Sequence, residues 1–483
     1  MVPILKPAKP GAPPPDKASP RSYRTIAISN LVMKILSVVL LNRLSHWAAY
    51  FGHVPPEQAG FMSGRSSEEM VWSLTETIRA RLRSGPNKTI AVGFIDFERA
   101  YDSLDHDLLF AVLARLGLPP RFLGLLRRWA AHRTVRIRVN GSLSDPFPIN
   151  RGLAQGCSLS PLIFSLFLAS LSHYLDSVPE ITGCSVLGQI LKRFIYADDI
   201  AIVADDAASL QTALSHVHEW ATAFGLTINM GVGKTEAIFF TSGLTLAAAT
   251  PALQLTCGGK RVNWATSYLY LGHPLRFDLS EREAAAGRLS DMASAYGCYF
   301  LRNRLIRRMP NMSQLQVLKT CVLGGANYLR GVRHMTAEDH AAYDAMALTA
   351  ARRILGLPDN CSTALVWTLS GLMPSAAITA QARWALNCKT RRACVVNTPA
   401  AAIMTGLRNE AAAARANPRG AKQRRPRANA DRTASWLATE DKAREGYATL
   451  LGLPVLQLPG AVTHVARGIA NPPKCWVAPS PSP

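Results

Sequence analysis

The chain has 483 residues, and its 54 lysines and arginines exceed its 32 aspartates and glutamates, giving a formal net charge of +22. Such a balance favours a polyanionic partner, although charge alone does not separate nucleic acid from an anionic membrane. With 48% hydrophobic residues, a chain of this length can bury a large core and should divide into two or three subdomains.

Cysteine usage and the N-terminal sequence argue against a secreted protein. The nine cysteines are scattered without a CxxC motif, and Cys388 and Cys394 lack a histidine at zinc-knuckle spacing. A reduced intracellular compartment without a structural metal site is therefore predicted. Residues 3–20 are proline-rich and contain no apolar signal region. The longest apolar runs, residues 31–41 and 159–171, are too short to span a bilayer, and we predict both as buried helices.

The first acidic position of interest is Asp96, which ends the apolar, strand-like run AVGFIDF. Apolar residues with a period near 3.6 then predict one helix over residues 98–118, ended by Gly117 and the two prolines that follow. An aspartate between a strand and a helix either caps the helix or serves a site, and the local pattern leaves both interpretations open.

Residues 134–147 (TVRIRVNGSLSDPF) predict a β-hairpin. Asn140 and Gly141 favour a type I′ turn at its centre. Arg136 and Arg138 share one face of its first strand, where they either contact a nucleic-acid backbone or face solvent.

The second acidic segment, residues 194–206 (FIYADDIAIVADD), consists of two apolar strands hinged on adjacent aspartates, Asp198 and Asp199. Two neighbouring carboxylates are costly to desolvate and raise each other's pKa. A bound divalent metal removes both costs, whereas an acidic hairpin turn is the simpler alternative. An amphipathic helix over residues 210–224, ended by Gly225, is expected to pack on the sheet beneath these aspartates.

Asp96 at a strand end, beside a hairpin carrying Asp198 and Asp199, is the arrangement that two-metal phosphoryl transfer needs. One metal would lower the pKa of an attacking 3′-hydroxyl, and the other would stabilise the leaving pyrophosphate. The capping alternative for Asp96 leaves the aspartate pair unexplained.

These segments resemble the palm motifs of reverse transcriptases, and the wider chain resembles the LINE-type (non-LTR retrotransposon) branch. The similar palm and primer-grip segments are IDFERAYDSLDH (95–106), GLAQGCSLSPLIFSLFL (152–168), FIYADD (194–199), GLTINMGVGKTEAIFF (225–240) and YLYLGHPL (268–275). Residues 4–44 and QAGFMSGRSSEEMVWSL (58–74) resemble the fingers segments. The resemblance covers roughly residues 3–275, and every segment stands in the family's order.

The resemblance implies an α+β, right-hand polymerase fold. Its expected parts are fingers over residues 1–85, a palm over 86–275, a helical thumb-like region over 276–395 and a basic tail over 396–483. Four arginines in the thumb-like region, at 302, 304, 307 and 308, would grip the template–primer, with a generic helical bundle as the alternative. The tail is expected to be largely disordered and to add nonspecific nucleic-acid affinity.

The implied metal site consists of Asp96, Asp198, Asp199 and the backbone carbonyl of Phe97. It would hold two Mg²⁺ ions, with Mn²⁺ as an alternative. Lys234 resembles the lysine that protonates pyrophosphate or holds its charge, although a solvated surface lysine is the other interpretation.

The implied nucleotide site includes Tyr101, whose ring would lie under the incoming sugar and exclude a 2′-hydroxyl. Ordinary helix packing of the ring is the alternative. Gln155 and Gly156 resemble the pair beside the template base and nucleotide. Ala154 stands where the family more usually has a proline before the glutamine. The sequence from Cys157 onward also differs slightly from the family's common sequence.

Basic candidates for the triphosphate are Arg24, ranked first, then Lys34 and Arg65. The resemblance implies primer and template contacts at Tyr196, Tyr270, Leu271 and Gly272.

The predicted function is RNA-directed DNA polymerisation. The expected partners are an RNA template, a DNA primer or target and dNTPs, and no membrane is expected as a partner. Endonuclease, Cys/His-knuckle and RNase H segments are not recognisable, so an endonuclease would come from missing sequence or in trans, and we expect a piece of a longer element protein. The resemblance implies an intracellular, nuclear location. The rival hypotheses are an inactive nucleic-acid-binding remnant and an RNA-templated RNA polymerase.

Overall fold

The computed structural model describes residues 1–6, 15–131, 133–242, 251–393 and 398–416. The chain divides into two compact units. The first comprises Met1–Arg288, Val332–His334 and Leu386–Leu407, and the second comprises Leu289–Gly331, Met335–Ala385 and the described residues from 408 to 416. The segment predicted as fingers and palm therefore lies in one unit, and the second unit begins at Leu289. The predicted boundaries of fingers, palm and thumb-like region stay predictions.

The first unit opens with a short antiparallel strand pair and two long helices. These are β1 (Val2–Leu5), a 3₁₀ turn (Pro20–Ser22), β2 (Tyr23–Ile26), α1 (Leu31–Phe51) and α2 (Ser67–Arg83). Side chains cap both helices, because Asn30 accepts a hydrogen bond from the Met33 amide and Ser66 accepts one from the Glu69 amide.

Helix α1 differs from the prediction that residues 31–41 form a buried helix. It runs for 21 residues and buries mainly Leu40, Leu44 and Ala48, whereas Leu31 is 72% exposed and Val32 is 73% exposed. By length and composition alone it could cross a membrane, as could the bent helix pair Thr363–Ser370 and Ser375–Thr390 if that pair is counted as one span. A continuous apolar run has no periodicity, so the sequence did not show which face is buried.

The next part of the chain contains the first acidic strand and three helices. These are β3 (Thr89–Ile95), α3 (Ala100–Ser103), α4 (His106–Arg115) and α5 (Pro120–Ala131). The single helix predicted over residues 98–118 is therefore wrong. It breaks at Asp105, whose Oδ1 accepts hydrogen bonds from the amides of Asp107 and Leu108 and so starts α4 anew. The residue that precedes α3 is Arg99, which excludes Asp96 as its cap.

A hairpin region and a buried helix follow. They comprise β4 (Thr134–Val135), β5 (Arg138–Val139), β6 (Ser142–Leu143), β7 (Phe147–Pro148), α6 (Ser160–Ser177), β8 (Cys184–Val186) and β9 (Gln189–Leu191). The predicted turn is confirmed, because Asn140 and Gly141 both have positive φ, at 49° and 86°. The predicted burial of residues 159–171 is also confirmed, since most of α6 belongs to the core.

The central sheet completes the first unit. The remaining elements are β10 (Arg193–Tyr196), β11 (Asp199–Ala204), α7 (Ala207–Ala223), β12 (Glu236–Thr241), β13 (Leu255–Cys257), β14 (Lys260–Trp264), β15 (Ser267–Tyr270) and β16 (His273–Arg276). Six strands form one sheet in the order β10-β11-β3-β12-β14-β13, so β3 lies between β11 and β12. Helix α7 packs against this sheet as predicted, with Leu210 and Leu214 over Gly93 of β3.

The last elements are helical. They are α8 (Arg282–Tyr296), a π-helix (Gly297–Arg302), α9 (Arg304–Arg307), α10 (Asn311–Val317), a second π-helix (Leu318–Leu323), α11 (Gly324–Ala326), α12 (Ala337–Leu355), α13 (Thr363–Ser370), α14 (Ser375–Ala393) and α15 (Pro399–Ala416). The second unit has its own core, which includes Phe300, Leu318, Tyr343 and Val366.

Helix α15 corrects the expectation of disorder from residue 396. Its first half buries Ala400, Ile403, Met404 and Leu407 within the first unit. Their helical spacing was hidden by the alanine-rich composition of the segment. Residues 417–483, which contain most of the basic tail, lie outside the described residues.

Candidate active site

The register of the central sheet brings two of the three candidate aspartates face to face. Ile200 of β11 lies opposite Ile95 of β3 in an antiparallel pair. Continuing that register by one residue places Asp199 opposite Asp96. The adjacent Asp198 occupies the turn between β10 and β11, where Tyr196 pairs with Asp199. The sequence prediction that these carboxylates share a site therefore agrees with the topology.

Lys234 approaches Asp96 from the other side. Glu236 of β12 lies opposite Phe94, so the same register places Lys234 opposite Asp96. The Lys234 Nζ donates to both carboxylate oxygens of Asp96 at 2.9 Å. Asn229 adds a second clamp, because its Nδ2 donates to Asp96 Oδ2 at 2.7 Å and its amide donates to the Asp96 carbonyl. Lys234 is thus a member of the site rather than a solvated surface lysine.

Electrostatics set the carboxylates apart from ordinary surface acids. Although Asp198 and Asp199 reach solvent, the surrounding protein desolvates them. Desolvation, followed by repulsion from Asp198 and Asp96, raises the pKa of Asp199 to about 6. Desolvation and then the charge of Asp96 also raise the pKa of Asp198. Positive charge placed among these groups would relieve both effects.

A buried glutamine supports the aspartate turn, and the sequence analysis missed it. Ala197 has φ of 56°, which is unfavourable for a residue with a Cβ. The Gln58 Oε1 accepts hydrogen bonds from the amides of Ala197 (2.9 Å) and Gly60 (2.8 Å). Gly60 lies so close that an added Cβ would be 2.2 Å from the Ala197 nitrogen. The only signal in the sequence was the QAGF segment, which resembles part of the fingers.

Tyr101 lies between a packing contact and the aspartates. Its ring stacks on Phe164 with centroids 4.5 Å apart, and its buried hydroxyl has no hydrogen-bond partner among the residues that the structure describes. Burial, then the negative charge of Asp198, raises the pKa of Tyr101. Both interpretations given above, sugar contact and packing, are therefore compatible with its position.

The Gln155 loop lies against the end of β2. The Gln155 carbonyl accepts from the Ala27 amide at 2.7 Å, and its side-chain nitrogen donates to Asp102 at 3.4 Å. Gly156 has φ of 99°, and an added Cβ would be 2.9 Å from the Ala27 carbonyl oxygen. This position therefore requires glycine because of the protein's own backbone, and the nucleotide contact of Gly156 stays a prediction.

Of the basic candidates, Arg24 is near the aspartates and Arg65 is engaged in contacts within the protein. Arg24 is exposed on β2, and its charge opposes the rise in the pKa of Asp198. Arg65 is half-buried in an ion pair with Glu69, and it also donates to the Pro56 carbonyl. These contacts engage its donors within the protein, and its role as a triphosphate ligand stays a prediction. Lys34 is exposed on α1.

Lys6 was missed and lies among the basic residues of the site. Its amide donates to the Ser22 carbonyl, which places it at the end of β1 beside β2. Burial, and then the charges of Arg99, Arg24 and Lys234, lower the pKa of Lys6. A lysine in the ILKP segment has no local pattern that distinguishes it from the many other basic residues of the chain.

The primer-grip candidates lie on the hairpin β15–β16. Leu271 and Gly272 form its turn, with φ of 46° and 77°. Tyr268 stacks on Phe94 at 4.1 Å and donates to the Lys234 carbonyl, which fixes the hairpin beside the aspartates. Tyr270 is only 3% exposed, whereas Leu271 and Gly272 of the turn are partly exposed.

The donor set fits a divalent cation. Desolvated, mutually repelling carboxylates provide the hard oxygen ligands that Mg²⁺ takes. In the described residues, no three acidic, histidine or cysteine side chains converge on one point, and Asp96 is held by Lys234 and Asn229 instead. The Phe97 carbonyl remains a predicted ligand.

Sequence comparison assigns the family. Residues 9–275, more than half of the chain, match the profile described as reverse transcriptase (RNA-dependent DNA polymerase). The chain belongs to the reverse transcriptase family. The predicted α+β, right-hand polymerase class is thereby confirmed, and reverse transcriptases generally use divalent metal ions.

The relatives of this reverse transcriptase include proteins of non-LTR retrotransposons, as predicted. The probable RNA-directed DNA polymerase from transposon BS of Drosophila melanogaster is 30% identical over 47% of this chain and 25% of the relative. The RNA-directed DNA polymerase from mobile element jockey of the same organism is 27% identical, over 52% and 26%. The type-1 element R2 polyprotein of Popillia japonica is 27% identical, over 50% and 33%. The matched part is thus a third or less of each relative.

A solved structure similar to this reverse transcriptase is apo telomerase from Candida tropicalis. It is 10% identical, with a TM-score of 0.39 over 78% of this chain and 58% of that chain. At that score the likeness carries no part of the assignment, which rests on the family match.

Proposed function

We propose that the chain is an RNA-directed DNA polymerase that adds dNTPs to a primer 3′-hydroxyl on an RNA template. The observation that carries the proposal is the sheet register, which places Asp199 and Lys234 on either side of Asp96. Two Mg²⁺ ions held by Asp96, Asp198 and Asp199 would activate the hydroxyl and stabilise the leaving pyrophosphate.

The protein's own residues position the substrates around these carboxylates. The Lys234 ammonium is already beside Asp96, where it can neutralise charge on the pyrophosphate. Lys6 and Arg24 offer positive charge to the triphosphate from β1 and β2. Gln155 and Gly156 would border the template base and nucleotide, where the glycine permits close approach of the backbone.

The primer and the product duplex would lie beyond this pocket. The Leu271–Gly272 turn would support the primer end. In the second unit, Arg302, Arg304, Arg307 and Arg308 are all exposed, which supports the proposed grip on template–primer. An endonuclease activity would have to be supplied by other sequence or in trans.

Primer extension by the purified chain with Mg²⁺ tests the proposal. Asp96→Asn, Asp198→Asn or Asp199→Asn should each reduce extension by at least ~10³-fold, because metal stabilisation supplies several kcal/mol of the barrier. The fold should survive Asp199→Asn, since the raised pKa of Asp199 shows that its charge is unfavourable there. Unchanged extension after Asp96→Asn would overturn the assignment.

The same assay separates the rival functions. An RNA-templated RNA polymerase would prefer NTPs to dNTPs. An inactive remnant would bind template–primer without extending it, and the three substitutions would then have no effect on any measured rate.

A further inference from the structure

The segment between the first two palm motifs is unusually rich in arginine. Residues 106–151 contain eight arginines and no lysine, against two aspartates, and so contribute +6 of the net charge of +22. We call this segment the arginine excursion. It contains α4, α5 and the strands β4–β7.

The arginine excursion is closed at its base beside the candidate nucleotide pocket. The Gly152 amide donates to the Leu104 carbonyl at 2.7 Å, and Arg151 forms an ion pair with Asp105 at 3.0 Å. Directly next to this closure, the Leu153 amide donates to the Tyr101 carbonyl. The excursion therefore leaves the site after Tyr101 and returns just before Gln155.

Most of these arginines are exposed and available. Within the described part of the chain, six exposed arginines of the excursion form no ion pair. They are Arg115, Arg121, Arg127, Arg128, Arg136 and Arg138. Arg127 lies against an aromatic ring, and the other five guanidinium groups are available to bind an anion.

Two arginines of helix α5 lie on the same side of the helix. Arg121 and Arg128 are two turns apart, on the same side as Gly124, whose Cβ position is open space. The Arg127 guanidinium lies 5.5 Å from the Phe110 ring centroid, which limits its freedom. The buried side of the helix, with Leu126 and Trp129, anchors it to the core.

We propose that the arginine excursion binds the phosphodiester backbone of the nucleic acid that enters or leaves the polymerase site. Guanidinium groups match phosphate oxygens with paired donors, and the absence of lysine favours such recognition over a merely solvated basic surface. The inference rests on the proposed function for the identity of the polyanion. It adds a contact surface outside the aspartate pocket, built from α5 and the β5–β6 hairpin.

The test compares two double variants with a matched control. Arg121→Gln with Arg128→Gln removes charge from α5, and Arg136→Gln with Arg138→Gln removes it from the hairpin. The control is Lys260→Gln with Arg261→Gln, two exposed basic residues at the start of β14. All six positions are exposed, so the variants should fold, which thermal unfolding verifies.

Binding is measured by fluorescence anisotropy, without dNTPs, against single-stranded RNA, single-stranded DNA and an RNA–DNA duplex over a range of salt. The quantity compared is the slope of the logarithm of the binding constant against the logarithm of the salt concentration. Each double variant should make this slope shallower by about 1.4 on single strands or about 1.8 on duplex, because each lost phosphate contact accounts for about 0.7 or about 0.9. The probe with the largest change identifies the strand bound. The binding assay requires no catalysis. If the protein does not extend a primer but the double variants still change the slope, the proposed polymerase function fails while the binding role of the arginine excursion is supported.

Two results would overturn the proposal. One is a salt slope that both double variants leave unchanged on all three probes. The other is an equal loss in the Lys260/Arg261 control, which would show a general charge effect. Anionic lipid vesicles form a further arm, and a loss confined to vesicle binding would assign the surface to a membrane instead.

Discussion

Asp96 illustrates how a single residue acquires its role from its neighbours. In sequence it is an aspartate at the end of an apolar run, and in the sheet it has Asp199 on one side and Lys234 on the other. The carboxylate is held by two side chains more than 130 positions away. The position of the Asp96 carboxylate is thus fixed by an ion pair and a hydrogen bond within the protein.

Tyr101 supports a prediction that separates sugar selection from packing. If its ring lies under the incoming ribose, Tyr101→Ala should raise kcat/KM for ribonucleotides relative to deoxynucleotides, because positioning errors near 1 Å cost about 10²-fold in rate. Tyr101→Phe should change little, since the ring supplies the barrier and the hydroxyl forms no hydrogen bond within the described part of the chain. The measurement is the ratio of the two kcat/KM values.

A purely packing role for Tyr101 has a different signature. The ring stacks on Phe164, so Tyr101→Ala would then lower stability by about 3 kcal/mol and depress both substrates alike. An unmoved ratio together with that loss of stability would remove Tyr101 from the nucleotide site.

At the scale of elements, the aspartate turn depends on close contact with the segment before α2. Gly60→Ala would place a Cβ 2.2 Å from the Ala197 nitrogen, and backbone atoms cannot move away cheaply. We expect extension to fall by at least ~10²-fold, because Asp198 and Asp199 would be displaced with the turn. Gly124→Ala is the control, since that position in α5 has open space. Equal extension rates in the two variants would show that the contact between Gly60 and Ala197 does not position the aspartate turn.

Elements with a local signal were predictable from the sequence. The β10–β11 hairpin, the Asn140-Gly141 turn and α7 each carry their periodicity or turn residues within a short window. Gln58, Gly60 and Lys6 were missed because their roles arise from contacts across the fold, which no local pattern records. The false helix over residues 98–118 ignored a cap signal at Asp105 that was present in the sequence.

The hairpin β15–β16 carries a pH-dependent contribution to stability. Burial, and then the charges of Arg333, Arg79 and Arg288, lower the pKa of His273 from 6.5 to about 4. Between those values the unfolded chain binds a proton that the folded chain does not, so stability falls as the pH drops from about 6.5 to about 4. At 1.36 kcal/mol per pKa unit, the loss is about 3 kcal/mol.

Urea denaturation of wild type and His273→Gln at several pH values measures this contribution. Any packing change caused by the substitution is the same at every pH and cancels in the comparison. The difference in the free energy of unfolding between the two proteins should therefore change by about 3 kcal/mol between pH 7 and pH 4. A constant difference would show that His273 titrates normally in the folded protein.

At the scale of the whole molecule, the chain carries the polymerase region of proteins that are three or more times longer than the matched part. Its excess positive charge is spread over the arginine excursion, the second unit and the tail. Affinity for nucleic acid should therefore be the sum of several weak, salt-sensitive contacts rather than the property of one pocket.

The end of the chain allows structural and electrostatic roles to be separated by two truncations. Removing residues 417–483 deletes basic residues that include Arg419, Lys422 and Arg424, but leaves α15 intact. The rate at saturating template should stay unchanged, while the log–log salt slope of binding should flatten by nearly one unit for each phosphate that the truncated protein no longer binds. An unchanged slope would mean that the basic tail does not touch nucleic acid.

Removing residues 398–483 should instead destabilise the first unit. The truncation deletes Ile403, Met404 and Leu407, which are each at most 3% exposed, and burial of one such side chain contributes about 1.5–3 kcal/mol. It also uncovers Leu187, which Gly406 contacts closely. Thermal unfolding should therefore show a lower midpoint for this truncation than for the one at residue 416. Equal midpoints would show that α15 adds nothing to the stability of the polymerase unit, and that the tail begins at residue 396 as its composition suggested.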